Sequence, residues 1–285
     1  MTQIDGFLVI DKPAGVTSHD VVAQVRRRFG TRQVGHAGTL DPMATGVLVI
    51  GLNRATKFLQ YIVAGKKSYL GTIRLGERTT TDDREGEVIE RSDISSITDE
   101  SIRAELAKFI GKIAQVPSSV SAIKISGERA YDLVRKGEAV ELPPREVEIY
   151  DLRINAIRRS EYLDVDIEVT CSPGTYIRAI ARDLGAKLEV GGHLIQLRRT
   201  EVAPFRIDQA RAVESAEPLP LNLEIAKVLP TRSLSVDEIS EIRFGRKISP
   251  SEFTGAGVAL SAAGEVVAII ENQETGAQPM TVFNL

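Results

Sequence analysis

Asp41 stands inside VGHAGTLDPMATGVLVIGL (Val34–Leu52), a run of Gly, Thr, Ala and Pro closed by apolar residues. Gly35, Gly38 and Gly46 admit backbone conformations that a side chain forbids, and they let another molecule approach the main chain. Pro42 biases Asp41 toward an extended conformation, and Val47–Ile50 supply an apolar anchor. A loop built this way presents one carboxylate, and a held carboxylate is a candidate nucleophile or base. Asp-Pro is also a common turn dipeptide, so spacing alone leaves a turn-capping Asp41 open. A carboxylate in a pocket that disfavours charge needs a nearby guanidinium to favour the anion and fix its orientation. In GTYIRAIARDLG, Arg178 and Arg182 are four apart and share a helix face, so either can reach inward. A glycosidase would usually need a second catalytic carboxylate, and spacing does not say whether another acid faces Asp41.

The elements that must position these groups are partly legible. Phe7–Ile10 reads as a short buried strand that ends at Asp11-Lys12-Pro13. Thr17 and Asp20 have capping-box spacing, Val21, Val22, Val25 and Phe29 share a helical face, and Gly30 supplies the stop. Ser68–Leu75 reads as a strand in which Tyr69 is in phase with Ile73 and Leu75, so a core role competes with a functional one. Thr98 or Asp99 caps a helix with Ile102, Leu106, Phe109 and Ile110 inward. Strands follow over 145–152 and 163–169, the second cleanly alternating, and a helix over 175–188. Strands interrupted irregularly by helices indicate an α+β fold. Residues 116–145 are rich in Ser, Lys, Arg and Gly and read as an excursion from the sheet, with a short helix over 129–136. A Pro-rich stretch over 216–231 marks a boundary, and 257–270 reads as a hairpin turning at Ala263-Gly264.

One cysteine, Cys171, excludes an intramolecular disulfide and a Cys-rich metal site, and His19, His36 and His193 make no spaced ligand motif. No apolar run is long enough to cross a bilayer and no secretory h-region is visible, so the expectation is a soluble cytoplasmic protein. The net charge of −3 is concentrated late in the chain. Residues 231–285 hold four basic and seven acidic side chains, which leaves residues 1–230 balanced. A polyanion needs only a local basic face. The candidates are Arg26-Arg27-Arg28 with Arg32, Lys66-Lys67 and Arg198-Arg199, each with a solvated surface as its plain alternative.

The string GHAGTLDPMATG resembles the signature of the bacterial tRNA pseudouridine synthases that modify the T-loop uridine at tRNA position 55. Five further blocks match in order: GFLVIDKPAGVTSHDVV, KKSYLGTIRLGERTTTDDREG, VPSSVSAIKISGERAYDLVRKG, SPGTYIRAIARDLG and LRRTEVAPF. Together they cover roughly residues 5–230. The resemblance implies a mixed or largely antiparallel sheet in a catalytic domain over 1–230, with a thumb-like insertion at about 116–145. It also implies a short PUA-like β module over 231–285. It assigns Asp41 as nucleophile, Arg178 as its guanidinium partner and Tyr69 as the active-site tyrosine. It places His36 beside the gap left by a flipped base, lines the base pocket with Tyr176 and Leu197, and makes Lys12 a substrate contact or loop support. It implies no cofactor, no metal and no protein partner. The substrate is the T-arm stem-loop of tRNA, and the enzyme is a monomer. Two alternatives stand beside this reading: a guide-RNA-dependent pseudouridine synthase, and a catalytically silent tRNA-binding or folding protein.

Overall fold

A computed structural model describes residues 4–118, 124–125, 128–129 and 143–283. A ten-stranded mixed sheet organises the molecule. Its main strands are β1 (Gly6–Lys12), β2 (Val34–His36), β3 (Thr45–Leu52) and β4 (Lys67–Leu75). They continue with β5 (Gly111–Gln115), β6 (Arg145–Arg159), β7 (Leu163–Cys171) and β8 (Gly192–Val202). The spatial order is β1-β3-β8-β4-β7-β6-β5, with β2 on β3. Neighbours are antiparallel except at β3–β8, where Thr45 and Gly46 pair in parallel with Arg198 and Arg199. This seam joins the two halves of the sheet. Gly46 has φ +99°, and a Cβ there would lie 2.2 Å from the Arg199 carbonyl oxygen, so only glycine fits the crossing.

Helices cover the sheet. α1 (Ser18–Phe29) begins with the expected capping box, Thr17 accepting from the Asp20 amide, and ends at Gly30 in the left-handed region. Its Val21, Val22 and Val25 pack on Leu8, Ile10, Leu48 and Ile50. α2 (Asp99–Ala107) and α3 (Ile177–Lys187) bury Ile102, Leu106, Ile180 and Leu184 against Ile73, Val165 and Ile167. α3 approaches the start of β8 so closely that a Cβ on Gly185 would lie 2.1 Å from Gly191.

Several expectations shift. Ile110 is 49% exposed, because α2 stops at Ala107 and the chain swings through Gly111 (φ +98°) into β5. β6 runs on to Arg159, and an irregularity between Ile154 and Ala156 hides its alternation. The Pro-rich boundary stretch is built into the fold: Leu219-Pro220 pairs with β1, and Leu221 and Ile225 enter the core. The helix expected over 129–136 falls mainly outside the described residues; Glu128–Arg129 pairs as strand with Lys124–Ile125.

The hairpin over 257–270 belongs to a four-stranded sheet of Thr231–Ser233, Gly255–Leu260, Val266–Gln273 and Gly276–Val282. This sheet shares a core with β1 and β3. Val258, Val266, Ile269 and Phe283 pack with Phe7, Val47 and Phe58, and the Phe58 and Phe283 rings stack at 5.7 Å.

Candidate active site

The loop carrying Asp41 is fixed by its carbonyls. Buried carbonyl oxygens must find donors, and from Gly38 to Pro42 each one does. Arg199 donates to Gly38 (2.9 Å) and Thr39 (3.3 Å), while its Nε reaches Val47 at 2.7 Å. Ser18 Oγ donates to Leu40 O and accepts from Leu40 N. The Ala44 amide donates to Asp41 O at 3.1 Å. Pro42 O accepts from the Gly15 amide (2.9 Å) and from Lys12 Nζ (3.2 Å). Lys12 also donates to Pro13 O and Val16 O. Its side chain is fully buried, and burial lowers its pKa to about 8. Lys12 therefore supports the loop and offers no surface to a substrate.

Arg178, at the start of α3, lies beneath Asp41. Its Nε is 3.0 Å from Asp41 Oδ2 and its Nη2 is 3.4 Å from Oδ1, a two-pronged pairing that fixes the plane of the carboxylate. Arg178 Nη1 reaches Asp83 at 3.2 Å and the Thr81 carbonyl at 2.9 Å. Burial raises the pKa of Asp41; Arg178 opposes that rise and Asp83 adds to it, while Lys12 and Arg199 also favour the anion. The two guanidinium contacts thus hold an anion in a place that disfavours one.

Asp41, Tyr69, Tyr176, Arg178 and Leu197 line one cleft of about 280 Å³. That is near the small end of the roughly 300–1,000 Å³ typical of ligand sites and suits a single base. Tyr69 is both core and cleft: it packs with Ile73 and Ile177 and faces Asp41. Burial pushes its phenol upward, so at neutral pH it presents a neutral hydroxyl and a ring face. Tyr176 caps α3, and its amide and carbonyl both bond the Gln115 side chain. His36 is outside the cleft. It lies on β2, edge-on to His19 at 5.7 Å, with Nδ1 buried near the Gly38 backbone and lacking a well-formed hydrogen bond. Burial lowers its pKa and keeps it neutral.

Asp83 is the group that sequence reasoning missed. It sits in TTTDDREG as one of two adjacent acids, and nothing in that string says which turns inward. The signal was the density of hydroxyls around it. Thr81 Oγ1 and the Glu85 amide donate to its Oδ1, and Thr79 Oγ1 donates to its carbonyl. Asp83 is a second carboxylate near Asp41, but it is only 4% exposed and fully engaged, so it does not face a substrate as the second acid of a glycosidase must.

The proposed basic clusters are corrected in part. Arg199 is buried, Lys67 is buried with its Nζ on the Val63 and Gly65 carbonyls, and Arg198 pairs with Asp11. Arg28 is tied to the Val213 carbonyl and Glu217. These cations hold the fold first. Among the described residues, no three His, Cys, Asp or Glu gather as a metal site.

Comparison with known proteins shows the family of the chain. Residues 26–177 match the family described as "TruB family pseudouridylate synthase (N terminal domain)". Residues 178–219 match "tRNA pseudouridylate synthase B C-terminal domain", and 229–284 match "tRNA Pseudouridine synthase II, C terminal". A tRNA pseudouridine synthase B of Arthrobacter sp. (strain FB24) is 50% identical, over 98% of this chain and 97% of its own. That of Thermobifida fusca (strain YX) is 48% identical, over 98% of both chains. Among solved structures, a Cbf5-Nop10-Gar1 complex matches with a TM-score of 0.71 at 22% identity, over 98% of this chain and 84% of the other, a likeness of fold. The chain belongs to the TruB family of pseudouridylate synthases.

Proposed function

We propose that this protein is a tRNA pseudouridine synthase that isomerises the T-loop uridine at position 55, with Asp41 as its nucleophile. Family membership supports the reaction. The observation that carries the site assignment is the Asp41 carboxylate, held on two prongs by Arg178 at the cleft lined by Tyr69, Tyr176 and Leu197. The reaction breaks the N1–C1′ bond, turns the base while it is trapped, forms the C5–C1′ bond and releases the C5 proton. Asp41 assists the first step by attack on the base or on the ribose. Tyr69 and Tyr176 offer ring faces to an extruded base, and Leu197 closes the apolar side. A larger hollow of about 490 Å³ shares Leu197 with the cleft and carries Arg84, Gln196 and Arg198; we read it as room for the neighbouring RNA. His36 acts through the loop or on the vacated stack, since it does not line the cleft.

Residues 1–230 form the catalytic unit in this reading, and 231–285 form a β module that completes its core. The protein acts as a monomer on bare tRNA in the cytoplasm; no described helix is long and apolar enough to cross a membrane. The test is pseudouridine mapping after incubating purified protein with a T-arm stem-loop. Modification of the T-loop uridine without guide RNA or other protein is expected. Product only when a guide RNA is added would favour the guide-dependent class, and binding without product would favour the silent RNA-binding protein.

A further inference from the structure

α3 carries two arginines one turn apart, and they hold consecutive aspartates. Arg178 takes Asp83; Arg182 takes Asp82, with Nη1 at 3.3 Å from Asp82 Oδ2. Ser118 Oγ donates to the same oxygen of Asp82. The Arg182 guanidinium also donates to the carbonyl of Val116 at 2.8 Å and of Pro117 at 3.5 Å, and it pairs with Asp183 at 2.8 Å. None of the Arg182 partners lines the cleft.

The backbone explains why this second pair matters. Adjacent residues of an extended chain point their side chains to opposite sides, yet both aspartates must find arginines on one helix. Asp82 has φ +60°, one of three non-glycine residues in the left-handed region among the described residues. That conformation is unfavourable for an L-residue, least so for Asp and Asn. Strain of this kind persists only where surrounding contacts over-determine it. Here the Asp82 carbonyl accepts from the Leu194 amide, and the Arg84 amide donates back to Leu194 O, both at 3.0 Å. Those bonds fix the backbone on β8. Arg182 and Ser118 fix the side chain, and Asp83 is thereby turned onto Arg178.

We propose that Arg182 and Asp82 are a positioning pair for catalysis, setting the Arg178–Asp41 geometry through Asp83 and tying it to the chain segment Val116–Ser118. The proposal rests on the reading of Asp41 as nucleophile. It does not place Arg182 on the substrate.

The test uses the full chain with Arg182→Lys. Lysine keeps the charge but cannot reach Asp82 and two carbonyls at once. Misplacement of a catalytic group by about 1 Å can cost roughly a hundredfold in rate, and a smaller one less. The expected result is a kcat loss of roughly tenfold to a hundredfold on the T-arm stem-loop, with the stem-loop Kd unchanged. The titration of Asp41 in the free protein, followed by carboxyl carbon NMR, should move upward. Charges facing Asp41 are Arg178, Asp83, Lys12, Arg199 and Glu85, and Arg182→Lys alters none of them. Asp82→Gly is the second variant: it accepts the positive φ and deletes the carboxylate, so it separates backbone strain from the pairing. It should lose kcat like Arg182→Lys. In an Asp83→Asn background, Arg182→Lys should add little further loss, since the path runs through Asp83. Unchanged kcat and Asp41 titration with only a lower Tm would overturn the proposal, as would full additivity with Asp83→Asn. If the unaltered protein makes no pseudouridine, the functional reading fails, while the NMR shift still decides whether the pair positions Asp41.

Discussion

Two loops offer an aspartate to one guanidinium. The first, Gly38–Pro42, is made of Gly, Thr, Leu and Pro around Asp41; the second, Thr79–Gly86, is made of hydroxyls and acids around Asp83. The first has few side chains able to hold itself, and donors from elsewhere hold it by its carbonyls: Arg199, Ser18 and Lys12. The second is held on β8 by Leu194 and at Asp82 by Arg182 and Ser118, and around Asp83 by its own groups, Thr79, Thr81 and the Glu85 amide. The Asp41 side chain is left 36% exposed, that of Asp83 4%. Reactivity here comes from what a loop leaves uncommitted. Securing the Asp41 loop through its backbone frees its carboxylate, whereas securing the other through the Asp83 carboxylate consumes it.

The largest test of that contrast is Asp41→Asn, which should abolish pseudouridine formation while keeping RNA binding. Its stability should not fall. A carboxyl with a raised folded pKa costs stability once ionised, so stability declines as pH rises through that pKa; the amide removes the cost. An equal or higher Tm at pH 7 is expected, and residual turnover above a trace would refute the nucleophile. Next is Arg178→Lys, which keeps the charge and loses the fork. A loss on the order of 10²–10³-fold in kcat, typical of removing a preorganised donor, should come with near-normal stem-loop affinity. Asp83→Asn should cost less, about tenfold, because Arg178 keeps Asp41 and the Thr81 carbonyl; a loss equal to that of Asp41→Asn would erase the distinction between the loops. The smallest effect is in pH. Burial raises the Asp41 pKa, so the acid limb of kcat/KM should lie above the ordinary carboxylate range near 3.9, with activity falling as pH drops through it. A limb at or below that range would mean that Arg178 outweighs burial.

What the sequence made legible follows from local rules. The capping box at Thr17 and Asp20, the Gly30 stop and the alternation of Leu163, Val165, Ile167 and Val169 depend on neighbours within a few residues, and each appears as read. Asp41, Tyr69, Tyr176, Arg178 and Leu197, brought into view by resemblance, share one cleft. The unread part depends on distant partners. Lys12, Lys67 and Arg199 look like surface cations in sequence and are buried; Lys12 and Arg199 serve carbonyls of the distant Asp41 loop, while Lys67 folds back onto Val63 and Gly65. The inward turn of Asp83 depends on a positive φ at Asp82, which no composition rule announces.

The seam between β3 and β8 has a kinetic consequence. Asp41 belongs to the half of the sheet containing β1 and β3, while Tyr69 and Arg178 belong to the half containing β4 and α3. The backbone ladder at the seam is two residue pairs, Thr45–Arg198 and Gly46–Arg199, and the Arg198 and Arg199 side chains reach across it to Asp11, Gly38, Thr39 and Val47. Cooperative units of a protein open with different free energies, and the expected first opening is at this junction, whose backbone ladder is shorter than those on either side. Amides at the seam should therefore exchange with solvent faster than those of the strands on either side. Catalysis, which needs both halves in register, should fail on heating before circular dichroism records any loss of sheet, so the enzyme's activity is the finer thermometer of its fold.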